Sequence, residues 1–237
     1  MTQDAVLELS NVNLSFGSRN LFRRNLFHVL KDISVSIHQG ETLGIVGRNG
    51  CGKSTLLRLI AGVYSPGEGS VINRAKRVSL LSLSLGFDPF LSGRDNALLC
   101  GMLMGIPRDE VLAQVDDIIE FAELNDFADQ PIRTYSAGMR ARLGFSVATY
   151  SSADLLLIDE VLGVGDKNFQ RKSFSIMRQK MESGQSAVFV SHSQNQVQDL
   201  CDRVLWLDQG KTMALGQTNE VLEAYNEFMQ KLEDRQT

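Results

Sequence analysis

Cysteine is scarce: Cys51, Cys100 and Cys201 are the only three in 237 residues, far apart and odd in number. They fit neither a disulfide framework nor a zinc-ligand spacing, so a reducing compartment is expected and a packed core must hold the fold. Positive charge is not in excess either. With 24 Lys and Arg against 28 Asp and Glu the formal net charge is −4, which removes the overall basic footprint of a nucleic-acid binder and leaves only local patches. No uncharged apolar run reaches the roughly 18 residues needed to cross a bilayer, so any membrane role is expected to come through a partner. No signal peptide precedes the first strand, and no internal repeat or low-complexity tail is visible. What remains is 43% hydrophobic and 22% charged, a globular composition. The length suits one large α/β domain or a domain with a helical insert.

The strongest positive signal is GRNGCGKST, Gly47 to Thr55, directly after the apolar run Thr42–Val46. This is G-x-x-x-x-G-K-[ST] with a strand before it and a helix after it, the context that gives a phosphate loop its meaning. Gly47, Gly50 and Gly52 remove Cβ atoms, so the backbone can curl and aim N–H groups at phosphate oxygens. Lys53 sets a cation against the β- and γ-phosphates, and the Ser54 hydroxyl can join a Mg²⁺ shell. Thr55 to Ala61 continues as a helix whose N-terminal dipole favours an anion.

Short alternating strands are expected at 6–9, 12–14 and 33–37, with a turn at 38–41 leading into the phosphate-loop strand. The segment from Ser18 to Leu30, which mixes Arg19, Arg23 and Arg24 with Phe22 and Phe27, reads as a surface loop, with an amphipathic piece as the alternative. Residues from about 90 to 150 form a helical block. Ser92 or Asp95 caps its first helix, which Gly105-Ile106-Pro107 ends. Asp109 opens a second, with Val111, Leu112, Val115, Ile118, Ile119 and Ala122 on one face, and a third runs from Ser136 to Tyr150. Strands return at 155–158, 187–191 and 204–207, with a helix over 168–181, a hairpin turn at 208–211 and a C-terminal helix from Thr218. The pattern is an α/β core interrupted by a helical block.

Three further stretches carry chemistry. Asp154 to Glu160 (DLLLIDE) is an apolar strand ending in two acids, at the edge where an α/β sheet places ligands. Asp159 suits Mg²⁺, and Glu160 can polarise a water for in-line attack. Val188 to His192 is a second apolar strand with a polar tip, where His192 can hydrogen-bond a phosphate or the attacking water. Ser136-Ala137-Gly138 opens a helix, read by itself either as a plain Ser N-cap with a Gly nearby or as an anion cup. Cys51, inside the phosphate loop, reads as a small residue tolerated at a variable position.

Together these stretches resemble the ATP-binding subunit of ABC transporters, over nearly the whole chain from Val6 to about Tyr225. GRNGCGKST resembles the Walker A motif, DLLLIDE the Walker B motif, YSAGM at Tyr135–Met139 the family signature, and Ser191-His192 the switch histidine. Gly163 to Asp166 lies where the D-loop belongs. The resemblance implies a P-loop NTPase core, a RecA-like mixed sheet with an antiparallel β subdomain, carrying an inserted helical subdomain. It implies ATP and Mg²⁺ as ligands. Gly47, Asn49, Gly50, Gly52, Lys53, Ser54 and Thr55 would bind nucleotide, Phe16 or else Phe22 would stack on adenine, and Ser54 with Asp159 would hold the metal. Glu160, His192 and Lys53 would be catalytic. It also implies a head-to-tail homodimer, in which Ser136 and Gly138 complete the site across the interface, with Asp166 also among the nucleotide-binding residues, seated under a separate integral membrane permease on the cytoplasmic face of a bacterial membrane.

A finer resemblance is to the exporters of O-antigen, capsule and teichoic acid, whose cargo is a lipid-linked polysaccharide. It is carried by Leu85-Gly86-Phe87-Asp88-Pro89 with Ser92-Gly93-Arg94-Asp95-Asn96, by YSAGM with Arg142, Leu143 and Phe145, by IDEVLGVGDKNFQ to Phe169, and by VSHS followed by Leu200 to Arg203. Two departures stand out. Met139 replaces the family's usual Gln, and no Gln occurs near Ser82–Leu85 where the Q-loop belongs, leaving Ser82 and Ser84 as the nearest polar groups. A C-terminal carbohydrate-binding domain, carried by some such exporters, is not expected here. A different cargo (drug, lipid or peptide), a soluble ABC ATPase and a nucleotide-occluding module without turnover are the other readings. Phe87, Phe90 and Leu91 are expected either to meet the permease or to fill the seam beside the helical block.

Overall fold

A computed structural model describes residues 5–20, 23–81, 86–150, 153–159 and 165–234, without the side chains of 18–25. In chain order the elements are β1 (Ala5–Asn20), β2 (Arg23–His38), β3 (Thr42–Val46), α1 (Lys53–Ile60), β4 (Glu68–Asn73), β5 (Val78–Leu81), α2 (Gly93–Leu103), α3 (Arg108–Phe121), α4 (Ala137–Thr149), β6 (Leu155–Asp159), α5 (Lys167–Glu182), β7 (Ser186–Val190), α6 (Gln194–Leu200), β8 (Arg203–Asp208), β9 (Lys211–Gln217) and α7 (Thr218–Glu233). They form two compact units, Met1–Ala75 with Ser183–Thr237, and Lys76–Glu182.

In the first unit β3 lies between β7 and β8, all three parallel. Their runs TLGIV, SAVFV and RVLWLD are almost wholly buried, as strands covered on both faces must be. β9 pairs antiparallel with β8 through the turn at Gln209-Gly210. A separate antiparallel sheet has the order β2-β1-β4. Helix α7 packs on β8, with Trp206 set against Tyr225 and Phe228 at ring-centroid distances of 5.6 and 5.1 Å.

Within the expected loop at Ser18–Leu30, residues 18–20 and 23–30 are strand instead. β1 and β2 pair without a register shift from Ser15 opposite His28 out to Asn20 opposite Arg23. Leu26 and Phe27 are exposed there, so backbone pairing rather than burial makes the ribbon, and no period-2 pattern announces it. β4, β5 and the short α6 are likewise absent from the sequence reading, whereas the hairpin turn expected at 208–211 does join β8 to β9. β4 is exposed at almost every position and carries no apolar period.

In the second unit β5 and β6 pair in parallel, and α2, α3 and α4 share one core. Ala97, Cys100, Val111, Ile118, Ile119, Ala122, Leu143 and Val147 are buried in it. Leu112 departs from its expected face and is exposed, because one residue beyond Val111 is a turn of about 100° away from the buried stripe. Ser92 caps α2 by accepting from the Asp95 N–H, and Ser136 caps α4 through the Met139 N–H, as expected of Ser at these positions. No described helix is long and apolar enough to cross a membrane.

Candidate functional site

Parallel strands release their chains at one edge, and the first unit's chemistry gathers there. Ile45 of β3 pairs with Val190 of β7. The phosphate loop and His192 therefore leave adjacent strands at matching heights. On the other side Val46 pairs with Trp206, so the loop also borders Leu207 and Asp208.

Gly47 has φ 150°, and a Cβ built on it would stand 2.2 Å from the Leu207 carbonyl oxygen and 2.7 Å from Cys51 Sγ. Only glycine lets the chain turn so close to β8. The Lys53 ammonium is buried and donates to the carbonyls of Gly47 at 2.8 Å and Arg48 at 3.2 Å, so the cation sits inside the curl of the loop. Helix α1 follows at once. Its first i→i−4 bond runs from Leu56 N–H to the Gly52 carbonyl, which puts the N–H groups of Lys53, Ser54 and Thr55 ahead of the helical ladder, the donors a helix start offers an anion. Asn49 and Gly50 are exposed at the loop's tip, and Ser54 and Thr55 are half-buried.

Cys51 is buried, and burial pushes its thiol pKa up, opposed by Lys53. Thiolate chemistry is thereby disfavoured. His192 is exposed at the head of the turn after β7, where Ser191 Oγ donates to Gln196 Oε1 at 2.8 Å and accepts from the Ser193 N–H. Phe16 is partly exposed and meets Tyr64 edge-on at 5.2 Å. Phe22 lies outside the described residues.

In the second unit Asp159 ends β6, half-buried. Glu160, Gly163, Ser82 and Ser84 lie outside the described residues. At the signature, Tyr135 is buried and its hydroxyl donates to the Phe127 carbonyl at 2.6 Å, fixing the approach to α4. Ser136 and Ala137 are then exposed at the helix start. A Cβ on Gly138 would meet only Ser136 Oγ, at 3.8 Å, so nothing in this unit's packing requires glycine there. Asp166 caps α5. Its carboxylate accepts from the N–H groups of Asn168 and Phe169 at 2.9 and 3.0 Å, and these two bonds hold its pKa below the ordinary value.

No group of three or more His, Cys, Asp and Glu stands together among the described residues, so a protein-only metal cage is absent from them. In the first unit Ser54 carries a hydroxyl, and in the second Asp159 carries a carboxylate, each by itself a hard oxygen donor of the kind Mg²⁺ takes.

Sequence reasoning missed Arg48 and Asp208. Arg48 Nε and Nη2 donate to Asp208 Oδ1 and Oδ2 at 2.9 and 3.2 Å, a bidentate pair binding the loop to the end of β8. Asp208 had the plain look of a turn former and Arg48 occupies an unconstrained motif position, so neither carried a signal. The subfamily stretches gain a packing reason. Phe145 and Phe169 are fully buried with ring centroids 5.9 Å apart, and the Arg142 guanidinium lies over Phe169. Asn96, wholly buried, donates to the carbonyls of Asp88, Leu91 and Ser92 and accepts from the Asp88 N–H at 2.7 Å. It thereby staples the loop that presents Phe90, which is 75% exposed.

The family described as ABC transporter matches residues 30–163. The chain is 44% identical over 211 residues to an O-antigen export system ATP-binding protein, RfbB, of Myxococcus xanthus, covering 89% of this chain and 48% of that one. It is 43% identical over 209 residues to RfbB of Klebsiella pneumoniae, covering 88% and 85%. It is also 43% identical over 205 residues to the teichoic acids export ATP-binding protein TagH of Enterococcus faecalis, covering 86% and 46%. The chain thus spans about half the length of the Myxococcus and Enterococcus relatives. Among solved structures, the ATP-binding cassette MJ0796, dimeric in a post-hydrolysis state bound to ADP and Pi, superposes with a TM-score of 0.76 at 21% identity, over 90% of this chain and 98% of that one. An ATP binding subunit of an ABC transporter gives 0.76 at 18%, over 93% of each. These two likenesses establish the fold, a P-loop NTPase cassette. The phosphate loop with its enclosed lysine, the matched family and relatives above 40% identity lead to one conclusion: the chain belongs to the ABC transporter family.

Proposed function

We propose that this chain is the ATP-hydrolysing subunit of an ABC exporter, and that the exporter moves a lipid-linked polysaccharide of the O-antigen, capsule or teichoic-acid kind through a separate permease. The observation that carries the proposal is the phosphate loop, with Lys53 inside its curl and α1 directly behind it, in a chain more than 40% identical to ATP-binding proteins of O-antigen and teichoic acid export. Lys53 exchanges its carbonyl partners for the β- and γ-phosphates of ATP, and the N–H groups at the start of α1 take the remaining phosphate oxygens. Ser54 and Asp159 would hold Mg²⁺, which when bound neutralises charge on the β- and γ-phosphates. Glu160 accepts the proton of the attacking water, and His192 orients that water or the γ-phosphate.

The second half of the site comes from a second copy in a head-to-tail homodimer. Ser136 of the partner subunit and Gly138 of the partner subunit meet the γ-phosphate with the N-terminus of α4. The exposed, sterically open start of α4 supports this reading. Closure on ATP and opening after hydrolysis move the permease on the cytoplasmic side of the membrane. The exposed Phe90 is offered to that permease. In the purified chain Glu160→Gln and Lys53→Ala should each abolish ATP turnover. Unchanged turnover in Glu160→Gln would remove that residue as the base. A strain lacking the chain should retain lipid-linked polysaccharide inside the cell and regain export with the wild-type chain only. Normal export in the deletion strain would refute the assigned cargo.

A further inference from the structure

The phosphate loop is anchored from outside its own turn. Besides the bidentate Arg48–Asp208 pair, the Gly210 N–H donates to the Cys51 carbonyl at 3.1 Å, and Gly210's own carbonyl accepts from Lys31 N–H at 2.8 Å. The β8–β9 turn therefore grips the loop at two points, Arg48 and Cys51, one on each side of its exposed tip. Asp208 is 8% exposed, and Phe228 of α7 lies beneath the Arg48 guanidinium at 6.0 Å. A planar, two-bond pair with a buried carboxylate is geometrically restrictive in a way that an exposed ion pair is not. Arg48 also lends Lys53 one of its carbonyl partners, so a displaced Arg48 shifts the cation that meets the phosphates.

We propose that Asp208 is a positioning residue for nucleotide binding, acting through Arg48 to hold the phosphate loop in the curl that encloses Lys53. This rests on nucleotide binding by that loop. The full chain is titrated with a fluorescent ATP analogue and Mg²⁺, alongside alkylation of native Cys51 by iodoacetamide, followed by peptide mapping. Asp208→Asn and Arg48→Gln should each weaken nucleotide binding about tenfold and speed Cys51 alkylation several-fold over Cys100. The charge swap Arg48→Asp with Asp208→Arg should recover part of both losses. A variant that merely unfolds exposes Cys51 and Cys100 together, and in that case Arg48→Gln, a change at a partly exposed site, decides the matter. Wild-type affinity and Cys51 protection in Arg48→Gln would overturn the proposal while leaving the loop's function intact. Failure of the wild-type chain to bind nucleotide would instead strike the functional reading, and the Cys51 rates would still report whether the pair holds the loop.

Discussion

At Gly47 the backbone has no room for a side chain, and at Gly138 it has ample room. The two glycines should respond in opposite ways to alanine. Gly47→Ala must push the loop away from the Leu207 carbonyl. It should lose about 1–3 kcal/mol of stability, as overpacked sites do, together with nucleotide binding. Urea unfolding and nucleotide titration check both, and wild-type binding would show that the loop tolerates the shift. Gly138→Ala sits in α4, where alanine is favoured over glycine by roughly 0.5–1 kcal/mol. Its stability should therefore hold or rise, while ATP turnover falls if that space receives a phosphate as proposed. Full turnover in Gly138→Ala would count against the signature's role. Both glycines were visible in the sequence as motif positions. Their different reasons were not, since those depend on what lies across from each.

Between α2 and the loop before it, Asn96 makes four hydrogen bonds while wholly buried. Asn96→Ala strands the Asp88 N–H, while the three carbonyls keep their backbone donors, and should cost the second unit about 1–3 kcal/mol. Chemical denaturation of the full chain measures this, and a loss under 0.5 kcal/mol would mean water replaces the amide. The stretch SGRDN was legible as a resemblance, and Ser92 as a cap. The stapling by Asn96 was not, because a buried amide looks like any polar residue until its acceptors are in place. Of this unit's helices, α2 and α4 were readable from their Ser caps and α3 from its apolar period, though α3 starts at Arg108 after Pro107 with no side-chain cap. The strands at 6–9, 12–14 and 33–37 were readable from their alternation, but the outer part of the β1–β2 ribbon was not, since Phe16, Leu26 and Phe27 are exposed there and backbone pairing holds it.

Over the whole chain, stability should fall in alkali. Burial pushes the Cys100 thiol from 9.0 up to about 11, and burial and then Asp202 push Cys201 up further. A raised thiol pKa means the unfolded chain ionises first, so the contribution is complete below about pH 9 and disappears as pH climbs through the folded value. For Cys100 this amounts to about 3 kcal/mol at most. The urea midpoint should drop between pH 9 and 11, less so in a Cys100→Ala, Cys201→Ala chain. Equal drops in both proteins would assign the effect to other groups.

The sequence by itself determined the phosphate loop, the acid-tipped strand, the signature at a helix start and the family, because each is a local pattern of residue types tied to a strand end or helix start. Tertiary structure alone decided what braces the loop. Arg48 and Asp208 are 160 positions apart and meet only because β3 and β8 are parallel neighbours. It also decided that Gly47 must be glycine and that Gly138 need not be for packing, since a missing Cβ has a reason only in the atoms that would otherwise meet it.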